Sequence, residues 1–285
     1  MNRKTLKTDC QYLLPKYLLT RLAGFFASIR MGRLTTALIN GFIKHYKVNT
    51  REISGKISDF KTFNDFFARP LKPTARPINA DKDTIVFPAD GTISRFGTIE
   101  NKFMLQAKNH YYTVEALLAD KKEAAAFKNG EFATIYLSPK DYHRVHIPFG
   151  GTLTKMLHVP GELFSVTPFN AENIPELFAR NERVVCFFDT AIGKMAVVLV
   201  GATIVRSIAT TWAGVVAPNK NKGVTVYDYA DQPHNFDKGA EIGKFFMGST
   251  VICLFEKNKI DFIQNLEAGQ TTRVGTAMAA IRKQK

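Results

Sequence analysis

Val184-Val-Cys-Phe-Phe188 and Lys194-Met-Ala-Val-Val-Leu-Val200 decide the fold class. Both runs are short and rich in β-branched or aromatic residues, which fit the pleated, packed surface of a sheet. The same signature recurs on either side of them. Upstream lie Thr84-Ile-Val-Phe87, Thr92-Ile-Ser-Arg-Phe96, Ala133-Thr-Ile-Tyr-Leu137 and Thr152-Leu-Thr-Lys-Met-Leu157. Downstream lie Thr203-Ile-Val-Arg-Ser-Ile208, Val224-Thr-Val-Tyr227 and Thr250-Val-Ile-Cys-Leu-Phe255. Turn signals at Asp90-Gly91, Gly150-Gly151 and Pro160-Gly161 divide the runs. Thr113–Asp120 and Asp120–Phe127 read as one or two interposed helices. Many short strands with few helices predict an α+β chain with a β-rich sandwich or barrel-like core.

The N-terminal part has a different character. Of the net charge of +14, the first 51 residues carry +9, from ten Lys/Arg against Asp9 alone. Residues 13–48 read as two amphipathic helices. Leu18, Leu22, Phe25, Phe26 and Ile29 form one apolar stripe, and Leu34, Leu38, Ile39, Phe42, Ile43 and Tyr46 form the next. An apolar stripe opposite a Lys/Arg-rich face suits a helix lying in a membrane interface, and equally a helix pair packed on a core. The stripe is too continuous for an arm that tracks phosphates, so no nucleic-acid partner is expected. The apolar stretch is broken by Pro15, Lys16 and Arg21, unlike a signal peptide, and nothing approaches a transmembrane span. The expected organisation is a membrane-associating helical region over residues 1–60 and a β-rich catalytic domain over 61–285. Residues 62–68 predict a short helix, and Arg69–Pro77 a proline-punctuated connector. Cys10, Cys186 and Cys253 are odd in number and unclustered, which argues against a disulfide framework and a zinc cluster.

Three segments could carry chemistry. Phe87-Pro-Ala-Asp-Gly91 bridges two strands. Tyr136-Leu-Ser-Pro-Lys-Asp-Tyr-His-Arg-Val-His-Ile-Pro148 holds His143 and His146, two of only six histidines. Gly243-Lys-Phe-Phe-Met-Gly-Ser-Thr-Val-Ile-Cys253 holds a Gly248-Ser249 bond just ahead of a strand. A metal pair at the histidines finds no convincing further ligands, so no metal is expected. His110 and His158 read as structural or surface residues. Asp90, His146 and Ser249 are the makings of a nucleophilic triad, which is defined by geometry and not by chain order. The neighbours of Ser249 are not those of the α/β-hydrolase elbow. These residues alone leave open a serine hydrolase acting on an external ester or peptide, and a membrane-attached β domain without activity.

In order and spacing, the three segments resemble the phosphatidylserine decarboxylases. The resemblance extends through Tyr12-Leu-Leu-Pro-Lys16, Leu19-Thr-Arg-Leu-Ala-Gly24, Thr62-Phe-Asn-Asp-Phe-Phe-Ala-Arg-Pro70, Val159-Pro-Gly-Glu-Leu-Phe-Ser165, Val200-Gly-Ala-Thr203 and Thr211-Trp-Ala-Gly214. Met247 departs from the usual leucine, a swap of similar volume. The resemblance implies a bacterial proenzyme that cuts itself between Gly248 and Ser249, with Asp90, His146 and Ser249 as the self-processing triad. It implies a beta chain of residues 1–248 and an alpha chain of residues 249–285, a heterodimer from one precursor that could dimerise further. Ser249 would become a covalent pyruvoyl group. That group would form a Schiff base with the phosphatidylserine amine and act as electron sink for decarboxylation to phosphatidylethanolamine. His143 is the candidate acid or carboxylate-positioning group, with His146 as the alternative. An anionic membrane surface, met peripherally from the cytoplasmic face of the cell membrane, would explain the basic amphipathic N-terminus.

Overall fold

The structure, a computed structural model, describes residues 16–107, 110–203, 207–219, 221–246 and 249–283. Cys10, most of the Tyr12–Lys16 motif, Met247 and Gly248 lie outside the described residues. Among those described, the chain is a strand-rich α+β fold of several antiparallel sheets, without a closed barrel.

The largest sheet runs in the order Thr225–Asp228, Gly151–Val159, Arg183–Thr190, Gly193–Val200, Ser249–Phe255, Glu131–Leu137, Gly91–Thr98 and Thr271–Thr272. His234–Phe236 adds a further pairing on Gly151–Val159. The central strands are apolar along most of their length because both faces are covered. Val251, Cys253 and Phe255 point into one core, with Val184, Cys186 and Phe188 of a neighbouring strand. Ile252 and Leu254 point into the other, with Val185 and Phe187. Period-two geometry sends successive side chains to opposite faces, so a strand buried on both must be apolar throughout. Cys186 and Cys253 are free and buried.

A smaller sheet joins Gly214–Ala217, Ile208–Thr210, Glu241–Phe245 and Arg144–His146, and a third joins Thr84–Val86, Ala277–Ile281 and Ile260–Phe262. The expected run from Thr203 to Ile208 is corrected. Thr203 is in a turn, residues 204–206 lie outside the described residues, and the strand begins only at Ile208. Gly201 and Ala202 already leave the big sheet there, so the strand at Ile208 belongs to the smaller one.

Helices α1 (Lys16–Ser28) and α2 (Arg33–Tyr46) occupy the two amphipathic segments, and α3 (Phe63–Phe67) the third. A capping box starts α3. Thr62 Oγ1 accepts from Asp65 N at 3.1 Å, and Asp65 Oδ2 accepts from Thr62 N at 3.0 Å. The apolar surface of α1 and α2 divides between two destinations. Ala27, Ile39, Phe42 and Ile43 pack on Phe63, Phe66 and Phe67 of α3. Leu22, Phe25, Phe26, Leu34 and Leu38 remain between 47% and 68% exposed. Among the described residues no helix is long and apolar enough to cross a membrane.

Candidate active site

Strand register brings the three chemistry-bearing segments to one end of the large sheet. Ser249 is opposite Leu137, and Thr92, Tyr136 and Thr250 stand in one row across three adjacent strands. The Phe87–Gly91 turn therefore enters the sheet two strands from Ser249, on the order of 10 Å away at normal strand spacing. Gly91 has to be glycine, since a Cβ would sit 2.3 Å from the Tyr136 carbonyl. The histidine segment leaves the same end of Glu131–Leu137. It returns as Arg144–His146, where His146 N donates to Pro88 O at 2.8 Å and Phe245 N donates to His143 O at 2.9 Å.

Asp90 is 8% exposed and fully engaged. Arg76 Nε lies 2.9 Å from Oδ1 and 3.0 Å from Oδ2, Arg76 Nη2 also bonds Oδ2, and Val274 N donates to Oδ1 at 2.9 Å. His146 is held at both ring nitrogens. Nδ1 is 2.7 Å from Gly239 O, and Nε2 is 3.2 Å from the Tyr142 hydroxyl. A carbonyl can only accept, so the proton sits on Nδ1 and Nε2 carries the lone pair. Gly239 takes φ +80°, and a Cβ there would press on Ile78 at 2.7 Å. Burial pushes the His146 pKa below its ordinary value, while the Gly239 carbonyl, Glu241 and Asp90 pull it back. The expected Asp90–His146 hydrogen bond is not formed among the described residues: the Asp90 oxygens bond Arg76 and Val274, and the Gly239 carbonyl orients the imidazole in its place.

His143 is completely buried and follows the same pattern. Its Nδ1 donates to Asp141 O at 2.9 Å, and Nε2 has no partner among the described residues. Burial first, then the charge of Arg69, push its pKa down to about 3, against the opposing pull of the Asp141 carbonyl. His143 is a neutral imidazole with an open lone pair at physiological pH. The Oγ of Ser249 and Oγ1 of Thr250 are also buried and without partners among the described residues. Open buried polar atoms are rare enough in native folds to need a reason. A cleft of about 260 Å³ opens on the Asp90 side of the site, lined by Lys47, Glu52, Arg69, Arg76, Asp90 and Tyr142 among others, and neither histidine nor Ser249 lines it.

His158, expected to be structural or at the surface, is buried with its Nε2 2.9 Å from Glu182 Oε1. Four groups at the site were not legible as such: Arg76, Tyr142, and the carbonyls of Gly239 and Asp141. Tyr142 lies inside the histidine segment and Arg76 inside the proline-punctuated connector, so proximity was the only available signal for either.

A family model described as phosphatidylserine decarboxylase matches residues 63–280, and a second, described as PSD, matches residues 6–47. Three similar curated proteins each carry the name phosphatidylserine decarboxylase proenzyme. The one from Aliivibrio fischeri is 54% identical over 283 residues, covering 98% of this chain and 99% of its own. That from Shewanella pealeana is 52% identical over 282 residues, covering 97% and 98%. That from Haemophilus ducreyi is 51% identical over 282 residues, covering 97% and 95%.

Proposed function

The chain belongs to the phosphatidylserine decarboxylase family, and from that premise we propose how its own residues carry out maturation and catalysis. It is a carboxy-lyase that converts phosphatidylserine to phosphatidylethanolamine and CO₂, made as a self-processing proenzyme. Family membership decides against a serine hydrolase that works as an intact chain.

Ser249 is the self-processing nucleophile and the source of a pyruvoyl group. The observation that carries this reading is its buried Oγ, open among the described residues, on the first residue of a strand locked inside the large sheet. A hydroxyl with no structural bond to lose is suited to being consumed, and the strand behind it holds the position rigidly. His146 is the base. The Gly239 carbonyl fixes the tautomer that leaves Nε2 free to take the Ser249 proton once the Tyr142 hydroxyl yields. The Asp90 charge favours the imidazolium that results. Oγ then attacks the Gly248 carbonyl and the amide becomes an ester. β-Elimination cuts the chain after Gly248, and hydrolysis of the resulting dehydroalanine releases ammonia. The products are a beta chain of residues 1–248 and an alpha chain of residues 249–285.

A pyruvoyl group at position 249 supplies an electron sink for the carbanion left when CO₂ departs. His143 positions the substrate. Its neutral Nε2 accepts a hydrogen bond from the substrate's ammonium group and so holds the amino-acid head, carboxylate included, at position 249.

The region 1–60 is the membrane-associating part and 61–285 the catalytic part. The exposed Leu22, Phe25, Phe26, Leu34 and Leu38 would enter the interface, each contributing on the order of 1 kcal/mol. Together with the basic surround, that supports peripheral, reversible attachment to the anionic cytoplasmic leaflet of the cell membrane. Replacing Phe25 and Leu34 by Asp should abolish liposome binding, and undiminished binding would remove this role.

Intact-mass analysis of the purified protein tests the main reading. Two fragments divided after Gly248, the smaller with a blocked N-terminus, are expected. Ser249→Ala should remain whole and inactive. Cleavage or decarboxylation in that variant would sink the assignment.

A further inference from the structure

The segment Phe67-Ala68-Arg69 ends α3 and meets the histidine loop with each of its three residues. The Phe67 ring lies 4.2 Å, centroid to centroid, from the His143 ring. Ala68 O accepts from Arg144 Nε at 3.0 Å. Arg69 Nη2 donates to Lys140 O at 2.8 Å and to Asp141 O at 2.9 Å. The Asp141 carbonyl is the one that takes the Nδ1 proton of His143 at 2.9 Å. We propose that this segment is a splint for the loop, and that Phe67 and Arg69 are positioning residues that fix the ring plane and tautomer of His143. The proposal rests on the reading that His143 positions the substrate for decarboxylation.

The chemistry follows from the two lone pairs of one carbonyl. One accepts from Arg69 and is thereby pinned, and the other accepts the imidazole N–H. With the acceptor immobile and the Phe67 ring against one face, Nε2 can present its lone pair in one direction only. The guanidinium also makes a second positive charge on the ring unfavourable. Arg69 is itself only 3% exposed, with its Nη2 on loop carbonyls and its guanidinium 5.3 Å from the Phe66 ring. Few other charges face His143. The strand Glu241–Phe245 meets it with the backbone of Phe245, and the nearby Arg144 is neutralised by Glu241 at 2.9 Å. Lys244 is paired in register with Arg144, one residue further along.

α3 also carries the helical pair. Phe42 of α2 is 5.9 Å from Phe67, centroid to centroid, so one ring, Phe67, separates α2 from His143. The splint thus joins the N-terminal region to a group in the reaction.

The test uses full-length chain in the uncleaved Ser249→Ala background, with ¹⁵N-labelled histidine followed by NMR. Parent protein should show His143 as a single neutral tautomer, protonated at Nδ1, down to about pH 5. Arg69→Gln should introduce the other tautomer and raise the protonation midpoint by roughly one pH unit or more. Arg69→Lys, which keeps the charge without the fork, should restore the midpoint but not the single tautomer. In the processed enzyme, Phe67→Leu should lower kcat about tenfold or more with KM for phosphatidylserine vesicles little changed. An unchanged spectrum in Arg69→Gln overturns the splint whatever the activity. If Arg69→Gln fails to fold, Phe67→Leu decides: an unchanged tautomer and kcat there overturn it equally. Full decarboxylation by a processed His143→Ala enzyme would instead overturn the role of His143 itself.

Discussion

Arg76 closes on Asp90 with Nε at 2.9 Å from Oδ1 and 3.0 Å from Oδ2, and the same guanidinium reaches Glu52 Oε2 at 3.0 Å. Arg273 holds the other oxygen of Glu52 at 2.6 Å, so Asp90 ends a chain of four alternating charges. Burial works against the charge of Arg76, but the bonds to Asp90 and Glu52 outweigh it and lift its pKa above the ordinary arginine value. The arrangement places a fixed carboxylate charge near His146 without a direct bond between them.

Removing Arg76 strips Asp90 of its counter-ion in a nearly buried place. Arg76→Met should destabilise the uncleaved precursor by about 3 kcal/mol, read by urea unfolding in the Ser249→Ala background. In the wild-type background it should slow the appearance of the 249–285 fragment. Unchanged stability together with an unchanged maturation rate would show that Asp90 does not depend on this partner.

Tyr142 donates to the nitrogen we propose as the base, and that bond steadies the lone pair and lowers its basicity. Tyr142→Phe should therefore speed maturation severalfold, at a stability cost of about 1 kcal/mol for the lost hydrogen bond. His146→Ala should stop maturation. Slower processing in Tyr142→Phe would mean that the hydroxyl takes part in the proton transfer and does not merely occupy its path.

Burial of neutral histidines should weaken the fold on the acid side. An unfolded His143 takes its proton near pH 6.5, whereas the folded one does so only at about 3. Between those values the unfolded state binds more protons, so stability must fall as the pH drops. The loss attributable to His143 is on the order of 2 kcal/mol from pH 6.5 to pH 5. His146 is shifted in the same direction and adds to the slope. His143→Gln in the Ser249→Ala background should flatten the acid limb of a stability-against-pH curve, and an identical limb would count against a neutral, buried His143.

Legibility in the sequence followed burial. Ser249–Phe255, Arg183–Thr190 and Gly193–Val200 announce themselves because both their faces are covered and nearly every residue is apolar. Arg144–His146 and Glu241–Phe245 carry charged and glycine residues at the sheet end that holds the site, and no periodic pattern marks them. Asp90, His146, His143 and Ser249 could be singled out as residue types in motifs. Their immediate partners could not, since Gly239 and Asp141 act through carbonyls that every residue possesses. The apolar stripes of α1 and α2 supported two readings because the helices have two apolar destinations: Ile39 and Phe42 go inward, Leu34 and Leu38 outward.

Cutting the chain after Gly248 should not release the small fragment. Ser249–Phe255 is an interior strand, paired with Glu131–Leu137 on one side and Gly193–Val200 on the other, and all seven of its residues are buried. Further along, Ala277–Ile281 pairs with Thr84–Val86, Thr272 Oγ1 donates to Ala89 O at 2.9 Å, and Phe87 N donates to Thr276 O at 2.9 Å. Val251, Ile252, Leu254, Phe255, Ile260, Val274 and Met278 are each at most 1% exposed. Keeping each from water is worth roughly 2 kcal/mol. Val274 N also completes the hold on Asp90, so residues of the small fragment and the large one share one hydrogen-bond network. The processed chains should co-elute on native size exclusion at sub-micromolar concentration and separate only in denaturant, with one cooperative transition. Loss of residues 249–285 on simple dilution would contradict the interior placement of that strand.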